Sequence, residues 1–388
     1  MLKHIFQLIW KKKQRNFLMM LEIFFAFLVL FAVSTLSVYN YQNYQKPSGI
    51  VIDDVWVAFM NYNTDTLPNL DVIQQRLKSY PEIASFSFTS GNVPFSFSTH
   101  STSLSYNGAE IQTDGIAAGP SYPDVMGITL AEGRWFSWED TIGKNDPIVI
   151  TRKLKEALFG DENAVGKILS KKEVGMESSG ERVVGVVENF KHKSDYQLEE
   201  NSMFRAASPK WDKDHILIKL KSPQNADFEA RLSKDLVSIG KDWSVEIQHL
   251  DAMKSTKNQT VWVPILILFI VCGFLVFNVA LGLFGVLFQN ISQRRGEIGV
   301  RRAMGATKKA IMQQIIGETA MIATFGLILG LFFAVQFPLL NLFDVSGGVY
   351  GLAMLLSVVA VYALVIGCSY FPSRQAAWIY PAEALRED

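Results

Sequence analysis

The chain has 388 residues, 37 of them Lys or Arg and 37 Asp or Glu, so its formal net charge at neutral pH is zero. A balanced chain lacks the basic surface that a nucleic-acid partner demands, and no nucleic acid is expected. Of its residues 49% are hydrophobic, 27 of them Phe, and they are clumped into long runs, which places the chain in the membrane class. The two cysteines, Cys272 and Cys368, lie inside apolar runs. There they read as small core hydrophobes, and they offer no disulfide framework.

Residues 1–16 combine Lys3, Lys11, Lys12, Lys13 and Arg15 with Leu2, Ile5, Phe6, Ile9 and Trp10 at helical spacing. This pattern predicts an amphipathic segment on the cytoplasmic membrane surface. A signal peptide is the competing reading. The apolar run over 17–39 is too long for one, which favours an uncleaved first span with the basic flank inside. Glu22 lies within that span, where it either snorkels to the headgroups or contacts a neighbouring span.

Residues 40–260 form the large outer region, long enough for at least one core of its own. Strands are expected over 50–60, 83–89, 215–220 and 244–249, with helices over 70–79 and 228–239. Two strand–helix–strand units predict an α/β subdomain built from both ends of the region. The middle, about 91–201, is richer in Ser, Gly and Thr and is expected to be a mostly β subdomain. Gly160, Gly166 and Lys167 imitate a phosphate loop. Five residues separate the glycines instead of four, however, and Ile168 follows the lysine where a Ser or Thr is needed. This chain is therefore expected to bind no ATP itself.

The second span is expected over 261–288, the third over 313–340 and the fourth over 350–371, with a short outer turn over 341–349 and a cytoplasmic tail over 372–388. In the third, Gly326 and Gly330 make a small-xxx-small motif for close helix packing. Between the second and third spans, 289–312 carries Arg294, Arg295, Arg301, Arg302, Lys308 and Lys309 against the single acid Glu297. Lys and Arg beside a span resist translocation, so this segment reads as a cytoplasmic loop. Its periodicity predicts a short amphipathic helix. Ile298, Arg301, Arg302 and Gly305 fall on one face, and Met304, Ile311 and Ile315 on another.

The string Glu297-Ile-Gly-Val-Arg-Arg-Ala-Met-Gly-Ala306 resembles the signature loop of the MacB/FtsX-like family of ABC transporter permeases. The tail Pro381-Ala-Glu-Ala-Leu-Arg386 resembles that family's C-terminal motif. Three outer stretches resemble its periplasmic core: Asp124–Ile128 with Glu132–Phe136, Leu158–Asp161 with Ala164–Lys167, and Val183–Phe190. The resemblance implies four transmembrane helices with a large extracytoplasmic α/β (α+β) domain between the first and second. It implies a bacterial inner-membrane location with both termini cytoplasmic. It also implies that Glu297, Ile298, Gly299, Arg301, Arg302, Met304, Gly305 and Ala306 dock on a separate ABC ATPase, with Pro381, Glu383, Leu385 and Arg386 as a second contact. ATP and magnesium would be held by that partner, and this chain would bind no cofactor or metal. Two permeases, identical or related, would pair in the lipid bilayer. A periplasmic adaptor and outer-membrane channel are the further partners the resemblance allows.

Two functions then compete, export or extrusion of the MacB type and regulation of an envelope enzyme of the FtsX type. The size of the outer region favours the first. A membrane-anchored enzyme is disfavoured. The five histidines are scattered, no Cys-x-x-Cys occurs, and there is no Gly-x-Ser-x-Gly elbow. His192, between Lys191 and Lys193, reads as a solvated loop residue, and Asn258-Gln259-Thr260 as a sequon without meaning. Trp56, Trp135, Trp138 and Trp211 read as core.

Overall fold

The computed structural model of the protein describes residues 13–61, 69–172, 180–207, 214–239 and 243–380. The expected amphipathic start over 1–12, Trp211, and Pro381, Glu383, Leu385 and Arg386 lie outside the described residues. The chain forms two units, Asn43–Val261 and the combination of Met1–Gln42 with Trp262–Asp388.

Helix α1 (Lys13–Gln45) continues past the expected end at residue 39. Its polar side chains there satisfy themselves on the helix, as when Asn40 donates to the Leu36 carbonyl at 2.7 Å. The strand expected to start at residue 50 starts later, as β1 (Val55–Asn61), because Asp53 and Asp54 form a turn with Asp54 at φ 54°. Then follow α2 (Leu70–Lys78), β2 (Ile83–Gly91), β3 (Ser101–Tyr106), β4 (Ala109–Ala118) and α3 (Tyr122–Met126). The middle continues with β5 (Leu130–Gly133), β6 (Asp146–Thr151), α4 (Arg152–Phe159), β7 (Ile168–Lys172), β8 (Gly180–Val187) and β9 (Ser202–Ala206). β10 (His215–Leu220), α5 (Ala226–Ile239) and β11 (Ser244–His249) close the outer region.

The strands run β11-β1-β10-β2 as an antiparallel end, and β2 then pairs with β4. From β4 the order β3-β7-β8-β6-β9 returns to β4 through a parallel pairing of Asp114 with Ser202, which closes a six-stranded barrel. Closure leaves these strands without a free edge. At the open end, side chains alternate between two cores, as the two-residue period of a strand requires. Trp56, Ala58 and Met60 of β1 meet Ile73 and Leu77 of α2 and Phe228, Leu232 and Leu236 of α5. Val55 and Val57 face a second core with Phe95, Tyr122 and Phe204. The barrel interior holds Leu104, Ile148, Ile150, Leu169, Val183 and Met203. Trp56 is buried and Trp135 half-buried, but Trp138 is exposed, so the expectation of a core role fails for Trp138.

Two of the stretches that carry the family resemblance meet across one pair of strands. Gly133 of β5 lies opposite Gly185 of β8. A Cβ on Gly185 would overlap the Arg134 carbonyl oxygen, and one on Gly133 the Val184 carbonyl oxygen. Gly133 also sits at φ 68°, where side chains are disfavoured.

The second unit is helical. α6 (Leu250–Ser292), α7 (Arg295–Ala303), α8 (Lys308–Leu339) and α9 (Gly347–Ala377) complete the chain. With α1, the helices α6, α8 and α9 are long and apolar enough to cross a membrane. α6 begins before the expected boundary at 261, because the polar stretch from Leu250 is itself helical. The expected loop over 289–312 is divided among the end of α6, α7 and the start of α8.

Among the spans, a Cβ at Gly326 would lie 2.9 Å from the Met20 carbonyl oxygen, and one at Gly330 would overlap the Phe27 ring. Both glycines therefore lie where α8 meets α1. Glu22 stands against α6 at Gly282, where a Cβ would be 2.9 Å from Oε1. Its contact is thus to a neighbouring span, through space that glycine leaves open.

Candidate functional site

The basic segment folds as an elbow between α7 and α8. Glu297 lies in the first turn of α7, and Arg301 and Arg302 lie in the last, the arrangement that favours the helix macrodipole. The helix stops at Gly305, which adopts φ 95°. The Gly305 N–H donates to the Arg302 carbonyl at 3.2 Å, and the Ala306 N–H donates to the Arg301 carbonyl at 3.0 Å. These two bonds form a Schellman cap, which needs a residue free to take positive φ. Thr307 then starts α8, its side chain accepting from the Ala310 N–H at 3.2 Å. Gly-Ala-Thr thus reads as stop and start. The single amphipathic helix expected from periodicity is corrected to two helices, and Gly305 belongs to the break between them, not to a helical face.

The break changes which residues share a face. Ile298 is 5% exposed and packs with Ile311, Ile315, Ala376 and Ala377. Burying an isoleucine of this kind stabilises by roughly 1.5–3 kcal/mol. Ile298 and Gly299, expected at a docking surface, are buried and hold α7 down from beneath. Ala306 also packs on this cluster.

Above that apolar base, five polar side chains close a ring. Arg294 reaches Glu297 at 3.0 Å and Glu318 at 2.7 Å. Arg301 reaches Glu297 at 2.6 Å and the Gln314 Oε1 at 2.7 Å. The Gln314 amide donates to Glu318 Oε1 at 2.9 Å, which completes the circuit. Each arginine uses its planar, pre-organised fork to bridge two acceptors, a geometry that the rotating ammonium of a lysine does not fix. Burial works against the Arg294 charge, but the hydrogen bonds to Glu297 and Glu318 more than offset it, so its pKa is raised. The bond from Arg294 holds the Glu297 carboxyl below the usual carboxylate range. Arg302 donates to the Ala306 carbonyl at 3.0 Å, and the Lys308 ammonium lies 3.0 Å over the Trp378 ring. α8 is thereby tied to the end of α9 as well.

The face left to a partner is small and mixed. Met304 is 76% exposed and Val300 is also exposed, four residues apart on one side of α7. Glu297 and Arg301 flank them, both partly exposed. Of the residues singled out from the sequence, Glu297, Arg301 and Met304 therefore reach the surface. Arg302, Gly305 and Ala306 shape the elbow. Val300, Arg294 and Gln314 were missed. The i, i+4 spacing of Val300 and Met304 was the available signal, whereas nothing in a single sequence pairs Arg294 with Glu318.

A second polar cluster lies in the outer unit. His192 is 4% exposed, stacks on Phe190 and lies 3.4 Å from Asp114, so the expected solvated loop residue is buried. Lys193 pairs with Asp114 at 2.9 Å. Lys191 is buried too, its ammonium on the carbonyls of Asn43, Lys46 and Asp195. Asn258, read as meaningless, accepts from Ser194 at 2.9 Å and donates to Asp195 at 2.9 Å. Lys-His-Lys looks solvated in sequence because most of its partners, the carbonyls of Asn43 and Lys46 and the carboxylate of Asp114, are remote in the chain.

Comparison with known proteins fits this anatomy. Residues 17–234 match the MacB-like periplasmic core domain, and 259–381 match the FtsX-like permease C-terminal region. The macrolide export ATP-binding/permease protein MacB of Rhodopseudomonas palustris is 28% identical over 308 residues, which are 75% of this chain and 45% of that protein. The protein of the same name from Bordetella avium is 23% identical over 303 residues, again 75% and 45%. The chain thus spans under half the length of the curated relatives it matches. The periplasmic region of MacB from Actinobacillus actinomycetemcomitans is similar over 55% of this chain and 97% of its own, at 21% identity and a TM-score of 0.39. The extracellular domain of the ABC-type transporter YknZ is similar over 50% and 99%, at 16% identity and a TM-score of 0.36. With one family model covering most of α1 and the outer unit and the other the helices that carry the elbow, the chain belongs to the MacB/FtsX-like family of ABC transporter permeases, multi-pass proteins of the bacterial inner membrane.

Proposed function

We propose that the chain is the permease of a MacB-type transporter whose ATP hydrolysis takes place on another polypeptide, and that it exports or extrudes a substrate from the membrane's outer side. The observation that carries this reading is the elbow. Val300 and Met304 are presented on a helix fixed from below by Ile298 and from the side by the Arg294–Glu318 ring. A rigid mount for an exposed apolar pair suits a docking knob, because displacement applied to it passes to α8 instead of dissipating. The ATPase would grip Glu297, Val300, Arg301 and Met304, with Mg-ATP in its own site. Both termini and the elbow lie in the cytosol in this reading, as the Lys and Arg flanks favour. Two permeases pair, and the nucleotide cycle moves the outer domains.

The test is purification of the intact protein in detergent from its own membranes. An ATP-hydrolysing chain should co-purify, and Met304→Asp should reduce its yield about 30-fold, the effect of losing one interface hot spot of ~2 kcal/mol. Membrane insertion should be unchanged, because Met304 is 76% exposed and lies outside the apolar helices. An unaltered yield of ATPase with Met304→Asp overturns the docking assignment.

A further inference from the structure

The outer unit contains a cavity of about 590 Å³ lined by Phe59, Phe95, Phe97, His249 and Met253 among others. Its size falls within the roughly 300–1,000 Å³ of small-molecule sites. Three features single it out from a packing defect. First, the wall is pre-formed. The loop that carries Phe95 and Phe97 is pinned by Asn92, which donates to the carbonyls of His100 and Gly115 at 2.6 and 3.0 Å and accepts from the His100 N–H at 2.7 Å. Second, Phe95 is held at φ 61°, a conformation uncommon for a bulky residue, with its N–H on the His192 carbonyl at 2.6 Å. Third, Phe97 is 66% exposed although it lines the cavity, so an apolar surface faces solvent at a fixed position.

Charge says what kind of molecule fits. The Lys257 ammonium lies 4.2 Å over the Phe97 ring and donates to the Ser96 carbonyl at 3.0 Å. Among the described residues no carboxylate pairs with it, whereas Lys254, 5.9 Å over Phe95, pairs with Asp195 at 2.9 Å. Burial and the nearby Lys193 both disfavour the Lys257 charge and lower its pKa. An anion placed beside Lys257 would offset both effects by direct attraction.

We propose that this cavity binds an amphipathic anion, an apolar chain or ring system bearing one acidic group. The apolar part lies against Phe59, Phe95, Phe97 and Met253, and the acidic group lies beside Lys257. The role of cargo site rests on the export reading above, but the binding itself does not.

The experiment uses the full chain in phosphatidylcholine nanodiscs without any ATPase. It is exposed to a diazirine-bearing sixteen-carbon fatty acid, to the corresponding alcohol, or to a diazirine-bearing phosphatidylglycerol built into the disc. Labelled peptides are mapped by mass spectrometry. The acid should label 95–98 and 249–256. Lys257→Gln should reduce that labelling about tenfold, as loss of a charge-assisted contact does, while the alcohol labels as before. Phe97→Ser, at an exposed position that leaves the core intact, should reduce labelling by acid and alcohol alike. Labelling of the same peptides by phosphatidylglycerol would identify the anion as a lipid headgroup, and labelling by the free acid alone would identify a diffusible ligand. Labelling confined to the apolar helices, or equal acid labelling with and without Lys257, overturns the proposal. Co-purification of the ATPase is unaffected by either outcome, so the two readings fail separately.

Discussion

Arg294→Leu should loosen α7 from α8 and weaken ATPase binding while the spans stay inserted. Arg294 joins two carboxylates, and its side chain and that of Glu318 are each only about a fifth exposed (21% and 19%). Removing one partner of a buried pair typically costs about 3–5 kcal/mol, because the other charge is left without compensation. Residual exposure and the Gln314 amide, which stays on Glu318, reduce this to roughly 2–4 kcal/mol. Hydrogen exchange of the amides over 298–303 should therefore speed up about 30- to 1,000-fold. Arg294→Lys should recover only part of the protection, since it restores the charge without the fixed fork that reaches both acids. The double change Arg294→Leu with Glu318→Leu should recover more than Arg294→Leu alone, because it leaves no orphaned carboxylate. Equal exchange in the wild type and Arg294→Leu would show that the ring does not hold the elbow.

The largest effect on the outer unit is expected at Gly185. The added methyl of Gly185→Ala meets the Arg134 carbonyl oxygen, with the Arg134 carbonyl carbon and amide nitrogen at 3.1 and 3.2 Å. All three are backbone atoms of the segment after β5, so no rotamer change relieves the clash. Overpacking of this kind costs about 3 kcal/mol, the upper end of its usual range. At about 2–4 °C per kcal/mol for a domain of this size, the unfolding midpoint should fall by roughly 6–12 °C. Fluorescence of Trp135, next to the clash, would report it. Gly143→Ala is the control, since a Cβ there would find its nearest neighbour at an ordinary 3.7 Å. Equal midpoints for the two variants would contradict the close approach of β5 and β8.

What was legible in the sequence follows from the range of the forces involved. The four apolar helices show because burial in lipid demands a continuous run of residues. The units β1-α2-β2 and β10-α5-β11 show because a strand's period of two and a helix's of 3.6 are local signals. Barrel closure was not legible, since it rests on Asp114 pairing with Ser202 across the whole middle of the domain. The same limit hid His192 and Lys191, whose partners include Asp114 and the distant carbonyls of Asn43 and Lys46. At the elbow, the helical period carried a face through Gly305 that the backbone does not follow. The residue types for a stop and a start, Gly305 and Thr307, were in plain view, and they outweigh the hydrophobic pattern there. Ile298 was then assigned to a partner when it belongs to the protein's own support.

In the proposed assembly Met304 faces the cytosol and is covered by an ATPase. Met304→Cys in a chain with Cys272→Ser and Cys368→Ser, probed with a membrane-impermeant maleimide, tests it directly. Ile142→Cys, 85% exposed in the outer unit, serves as the opposite marker. In spheroplasts Ile142→Cys should react and Met304→Cys should not. After permeabilisation Met304→Cys should react, and slowly while the ATPase is bound. Reaction of Met304→Cys in intact spheroplasts would put the elbow on the wrong side of the membrane and contradict the account.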